Sequence, residues 1–127
     1  MSLQSRVSQR IDPGLSFHGI SLTEFLVMHY LNNAPKKTMR RIDLAHQVGL
    51  TASGVTRLLL PMEKIKLIEK ETNPRDARVS LVKLSATGER VLAEASISFE
   101  QSCRALLHIL TEKEQAHFLE LSEKLLV

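Results

Sequence analysis

Apolar and polar positions along this 127-residue chain follow helical spacing near both ends, with a short extended stretch between. Phe25, Leu26, His29 and Tyr30 share one face of a predicted helix. Ser21-Leu22-Thr23-Glu24 has the form of a capping box at its start, and Asn32-Asn33-Ala34-Pro35 ends the pattern. After Lys36 and Lys37, Thr38 reads as the N-cap of a short helix to about Val48. Gly49 suits the left-handed residue that closes a helix. Leu50 is expected to turn inward, and Thr51 to cap a further helix through Val55, Leu58 and Leu59. Pro61 has no amide to bond the carbonyl of Arg57, which predicts a kink near residues 57–61. Leu67 to Thr72 and Val79 to Leu84 read as two strands around a turn at Asn73-Pro74. Their register stays open, because Leu81, Val82 and Leu84 do not alternate.

The last third is helical. Val91, Ala95, Phe99, Cys103, Leu106 and Leu110 recur at intervals of three or four and form one apolar stripe. Thr111-Glu112-Lys113-Glu114 is a second capping box, ahead of a final helix with Leu119, Leu121, Leu125 and Leu126. At about 1.5 Å per residue a helix from Ala86 to Leu110 spans nearly 40 Å. A compact chain of this length has a radius of gyration of only about 14 Å. Such a stripe is therefore expected to pack on a second copy, in preference to an intrachain bundle with the first helix. The whole reads as one domain, 1–127, mainly α with a small β-hairpin.

Composition fits a globular chain, with 43% hydrophobic residues. No apolar run approaches the roughly 20 residues of a membrane span, and the N-terminus lacks a signal-peptide core. The opening Met-Ser-Leu reads either as the native start or as a remnant ahead of a chain that begins further upstream. A single cysteine cannot form an internal disulfide, so a reducing cytoplasm is the expected setting. Charge is unevenly placed. Lys36 to Lys83 holds eleven Lys/Arg against five Asp/Glu, or +6, and the remainder nets −3. A basic block with acidic flanks points to an anionic partner, although chance clustering on a solvated face gives the same count.

The order helix, helix, turn, helix, hairpin turns that hint into a specific one. In a helix-turn-helix the second helix enters the major groove while the first crosses the backbone. Ala45, Gly49 and Val55 supply the small residue, the turn glycine and the packing residue that the motif needs. Thr51, Ser53, Thr56 and Arg57 cluster on the exposed side of the second helix near its N-terminus. Hydroxyls there suit phosphate oxygens, an arginine suits a guanine edge, and Gly54 leaves room for close approach.

The segments "LTEFLVMHYL", "IDLAHQVGLTASGVTRLL" and "LIEKETNPRDARVSLVKLSATG", above all Asp76-Ala77-Arg78, resemble the MarR family of winged helix-turn-helix repressors. The resemblance runs from about Ser21 to Gly88, with a weaker helical match to the end. It implies a DNA-binding lobe over 21–84, with dimerisation helices in 1–20 and 85–127. It further implies a homodimer on pseudo-palindromic double-stranded DNA, released by a small phenolic or other lipophilic effector or by an oxidant. Two positions depart from the family pattern. Lys66 stands where a glycine usually precedes the first wing strand, and a lysine is strained in a left-handed conformation. The N-terminal helix also looks short, since only Ser2 to Arg10 precedes Asp12-Pro13-Gly14.

Roles follow from chemistry. Arg78 suits the negative potential of a narrow minor groove, and Asp76 is expected to hold its guanidinium fork in place. Arg75 is placed against a flanking phosphate, and Arg40, Arg41, Lys36 and Lys37 are phosphate candidates. His18 and His29 lie before and within the helix that, by the resemblance, borders an effector pocket. Each reads equally as a ligand partner or as a half-exposed surface histidine. Cys103 reads as a packing residue of the apolar stripe. The five histidines show no metal-ligand spacing, so neither metal nor cofactor is expected. No nucleophile elbow, phosphate-binding glycine loop or carboxylate pair suggests an enzyme. The alternative function is a winged-helix module for protein–protein contact.

Overall fold

The structure, a computed structural model, describes residues 1–126. Its elements are α1 (Leu3–Ser16), α2 (Leu22–Asn33), a 3-10 turn (Pro35–Lys37), β1 (Thr38–Arg40), α3 (Arg41–Val48), α4 (Ala52–Lys64), β2 (Ile68–Asn73), β3 (Asp76–Leu84), α5 (Ala86–Leu107) and α6 (Glu112–Leu125). No helix among the described residues is long and apolar enough to cross a membrane.

Helix starts are set where the capping chemistry places them. Ser21 and Glu24 form the reciprocal box at α2, and Thr111 and Glu114 repeat it at α6. The Thr51 hydroxyl accepts the amide of Gly54 at 3.0 Å and opens α4. Gly49 closes α3 with φ of 70°. Thr38, in contrast, is not a cap. It begins β1, and Arg40 is the N-cap residue of α3 without a side-chain capping bond. Three residues are too few to show an alternating pattern, so β1 becomes visible only through its pairing with β3.

That pairing makes an antiparallel sheet in the order β1-β3-β2. Thr38 faces Lys83, Arg40 faces Leu81, and Ile68 faces Leu84. The β2–β3 hairpin turns at Pro74-Arg75, with a register irregularity at Thr72/Asn73. This answers the open register question: Ile68, Val82 and Leu84 point into the core. β3 begins at Asp76 rather than Val79, so Arg78 lies within a strand and not at the tip itself.

Other expectations change as well. α1 runs straight through Asp12-Pro13-Gly14 to Ser16. Ile11 and Leu15, one turn apart, are buried, and that burial outweighs the local breaker. A Cβ on Gly14 would lie 2.9 Å from Ser102 Oγ, so the glycine lets α1 approach α5 closely. Leu50 is 37% exposed and does not turn inward. The core face of α2 is Phe25, Val27, Met28 and Leu31, while His29 is exposed. α4 runs on through Pro61 to Lys64. The stripe on α5 is largely satisfied within the chain. Leu92 and Ala95 are buried, Val91, Phe99 and Cys103 pack against the core, and Phe99 lies 4.6 Å from Phe25 between ring centres. α6 buries none of its residues.

Between wing and α5 runs a narrow seam. Lys66 has φ of 63°, so the left-handed turn is made by lysine in place of glycine. The Ser85 hydroxyl contacts the carbonyls of Lys66 at 2.5 Å and Leu67 at 2.9 Å, and accepts the amide of Gly88 at 2.9 Å. A Cβ on Gly88 would fall 2.2 Å from the Leu67 carbonyl oxygen. Gly88→Ala is therefore expected to destabilise the fold by on the order of 1–3 kcal/mol. Lys66→Gly should stabilise it by about 1 kcal/mol through relief of the left-handed strain. Urea unfolding of both variants checks the opposite signs.

Candidate nucleic-acid interface

The Asp76–Arg78 pair stands on the outer part of the wing. Arg78 donates from Nε to Asp76 Oδ1 at 3.1 Å and from Nη2 to Oδ2 at 3.3 Å. Its backbone amide also donates to Asp76 Oδ1, at 3.0 Å. Three bonds from one residue hold the carboxylate charged, and the Arg78 guanidinium and amide push its pKa below the ordinary carboxylate range. The Arg78 side chain is nevertheless 91% exposed. Three of its five N–H donors remain available while the fork is held. The brace expected from sequence is thus present as geometry.

Arg40 is held in the same manner. Its Nε donates to Asp43 Oδ2 at 2.8 Å and its Nη2 to Oδ1 at 3.2 Å, which raises its pKa further. Arg41 donates from Nη1 to Thr56 Oγ1 at 3.2 Å. Arg40, Arg41 and Arg78 together line a cleft of about 320 Å³ between the starts of α3 and α4 and the face of β3. Ile42, Ala52, Val55, Val79 and Ser80 complete its walls. Ser80 was not singled out in the sequence. The usable signal is the period of two along β3, which puts Ser80 on the face of Arg78.

On α4, Thr51 and Ser53 are exposed and share one bond at 3.3 Å. Two hydroxyls with one mutual bond leave one proton to donate outward. Arg57 is exposed. Gly54 sits against the cap: a Cβ there would meet Thr51 Oγ1 at 3.1 Å and Leu50. Arg75 is exposed at the hairpin turn, where its amide donates to Asn73 Oδ1 at 2.8 Å. Lys36 and Lys37 both have φ of 55°. Lys37 Nζ lies 2.8 Å from Glu89 and 2.6 Å from Asn32 Oδ1, which ties it to α5 and α2 instead of the cleft.

The two histidines separate. His29 lines a cleft of about 300 Å³ between α2 and α5 with Phe25, Leu26, Ser96, Phe99 and Glu100, and its ring lies 3.3 Å from Asn33 Nδ2. His18 is bonded to Ser98 Oγ at 2.8 Å, half-buried. Burial, then the nearby Glu100, pushes the Cys103 thiol up, against the thiolate form that reacts with oxidants. Among the described residues no three His, Cys, Asp or Glu side chains gather into a metal-holding group.

Comparison with known proteins places this geometry. Residues 20–80 match the model of the MarR family. An Escherichia coli MarR mutant crystallised with operator DNA superposes with a TM-score of 0.88 at 22% identity, covering 98% of this chain and 88% of that one. A MarR-family regulator from Streptomyces coelicolor in complex with DNA gives 0.89 at 20% identity, over 96% and 78%. The Streptomyces coelicolor regulator PcaV with its natural ligand gives 0.76 at 24% identity, over 84% and 74%.

The brace has a measurable signature. A carboxylate with lowered pKa keeps its charge until pH falls through that lowered value, so the pair persists at all higher pH. Carboxyl NMR titration should show Asp76 protonating below the ordinary range. Arg78→Ala should return it upward into the ordinary carboxylate range.

Proposed function

We propose that the chain is a winged-helix transcription regulator of the MarR family, that it works as a homodimer on a pseudo-palindromic operator, and that it lets go when a small effector binds. The observation that carries this reading is the arginine-lined cleft. Arg40, Arg41 and Arg78 converge there beside the N-terminus of α4, whose amides and partial positive charge favour phosphate. In this reading Arg78 enters the minor groove, Arg75 meets a flanking phosphate, and Thr51, Ser53 and Arg57 face the major groove. Ala52 suits a thymine methyl. Lys36, unlike Lys37, keeps a free role as a phosphate contact. The wing presents Arg75, Asp76 and Arg78 and no apolar patch, which favours DNA over a protein partner. We read the protein as a binding protein and not an enzyme, acting in the cytoplasm as one domain.

Support for the homodimer comes from the two ends of the chain. Phe118, Leu119, Leu121 and Leu125 are exposed along α6. An apolar groove of about 600 Å³, with Leu3, Val7, Leu106 and Leu110 among its walls, opens between α1 and the α5–α6 junction. Arg6 and Arg10 line it too, and α6 carries Glu112, Glu114, Glu120 and Glu123 as complementary charge. For the effector, the cleft lined by Phe25, Phe99, His29, Ser96 and Glu100 offers aromatic walls with three hydrogen-bonding side chains. That combination suits a small phenol or another lipophilic molecule with one polar end. His18, in the turn between α1 and α2 and bonded to Ser98 of α5, takes a supporting place in this scheme.

Selection from a random DNA pool should return a two-fold symmetric consensus with half-sites about one helical turn apart. On that sequence, Arg78→Ala is expected to weaken binding by on the order of 1–3 kcal/mol at fixed salt. Unchanged affinity in a gel-shift titration removes Arg78 from the interface, and recovery of no consensus favours the protein-contact reading. Phe118→Glu combined with Leu121→Glu should give monomers in sedimentation and lose operator binding. A dimer that persists in that variant places the interface elsewhere.

A further inference from the structure

We infer that Thr56 is not itself a DNA contact but a positioning residue, whose hydroxyl aims the Arg41 guanidinium at the operator backbone; this rests on the DNA-binding reading above. The helix position of Thr56, three residues after Ser53 and one before Arg57, places it beside the groove-facing residues. Its chemistry says otherwise. A threonine hydroxyl has one proton and two lone pairs. Here the proton goes to the backbone carbonyl of Ala52, at 3.0 Å. A lone pair receives Arg41 Nη1, at 3.2 Å. Phosphate oxygens only accept, so Thr56 has no proton to offer one without giving up Ala52.

Placement agrees. Thr56 is half-buried, while Thr51, Ser53 and Arg57 on the same helix are exposed. It lines a narrow crevice behind α4, with Leu59, Glu63, Lys70 and Ser80, and is absent from the walls of the front cleft. Arg41 lines both spaces. Its guanidinium therefore passes between α4 and the wing, anchored at the rear by Thr56 and reaching the front beside Arg78 and Ser80. Of the three arginines at the cleft, Arg40 and Arg78 are held by carboxylates from their own segments, Asp43 and Asp76. Arg41 alone among them is held by a neutral oxygen, and across two helices. A neutral anchor orients the guanidinium and leaves its full charge for the phosphate, whereas a carboxylate neutralises part of it.

The test has a part that needs no DNA. In the free protein, Thr56→Val keeps shape and removes the oxygen. NMR of the Arg41 guanidinium should show slow rotation in the parent protein, free rotation in Thr56→Val, and recovery in Thr56→Ser. Equal mobility in the parent and Thr56→Val overturns the anchoring, whatever the protein binds.

The second part is a double-mutant cycle on the selected operator, read as affinity against salt. Arg41→Ala should weaken binding about tenfold and lower the salt slope by about one, the signature of one lost phosphate contact. Thr56→Val should weaken it about three- to tenfold with a shallower slope. Adding Thr56→Val to Arg41→Ala should cost nothing further, since the hydroxyl then has nothing to aim. Thr56→Ser should match the parent. A further loss from Thr56→Val in the Arg41→Ala background overturns the proposal and makes Thr56 a direct contact. An unchanged slope in Thr56→Val overturns it as well. If the parent protein binds no DNA at any salt, the regulator reading fails and this role falls with it, even where the NMR shows the anchor in place.

Discussion

The fold turns on the seam where the wing returns to α5. Ser85 is the buried polar residue of the core, and a buried hydroxyl is costly unless its bonds are made. It makes them to the Lys66 and Leu67 carbonyls and to the Gly88 amide. Those contacts cap α5, fix the left-handed turn at Lys66 and set the position from which β2 departs. Gly88 allows this because any side chain there would strike the Leu67 carbonyl. The wing is therefore hung from the first turn of α5. From Leu67 onward the pairing of β2 with β3 and of β3 with β1 follows, and with it the place of Arg78.

Charge then refines what the backbone positions. The basic block appeared as +6 over Lys36 to Lys83, but its members are not alike. Lys37 is spent on Glu89, and Arg40 and Arg78 are held by near neighbours in sequence. Isolated exposed pairs of this kind contribute little stability, typically about 0.2–1 kcal/mol. Their value here is geometric. A guanidinium fork held on one edge presents its remaining donors in a fixed direction, with less side-chain entropy lost on binding.

How far this was legible in the sequence depended on range. Local chemistry was readable: both capping boxes, Thr51, Gly49 and the Asp76–Arg78 pair all involve residues within a turn of each other. Features set by distant partners were not. β1 has three residues and becomes a strand because Thr38 to Arg40 meet Lys83 to Leu81. Asp12-Pro13-Gly14 reads as a breaker until α5 is present to bury Ile11 and Leu15. The bond between Thr56 and Arg41 crosses from α4 to α3, so helix position alone did not reveal it. The leftover apolar surface of α6 kept the sequence argument for a second copy, while the α5 stripe that suggested it is largely filled by α1 and α2.

These constraints converge on one element. The first turn of α5 holds the wing base through Ser85 and Gly88, and the loop before β1 through the Glu89–Lys37 pair. Both ends of the sheet thus attach to the helix on which α1 packs and whose Phe99 walls the cleft beside His29. In the proposed homodimer each wing keeps its place relative to its own α5, so a shift of α5 is expected to carry the wing with it. A molecule seated between α2 and α5 at Phe25 and Phe99 presses on the same helix. Under that proposal, spacing on DNA and occupancy of that cleft are both expected to depend on the position of α5.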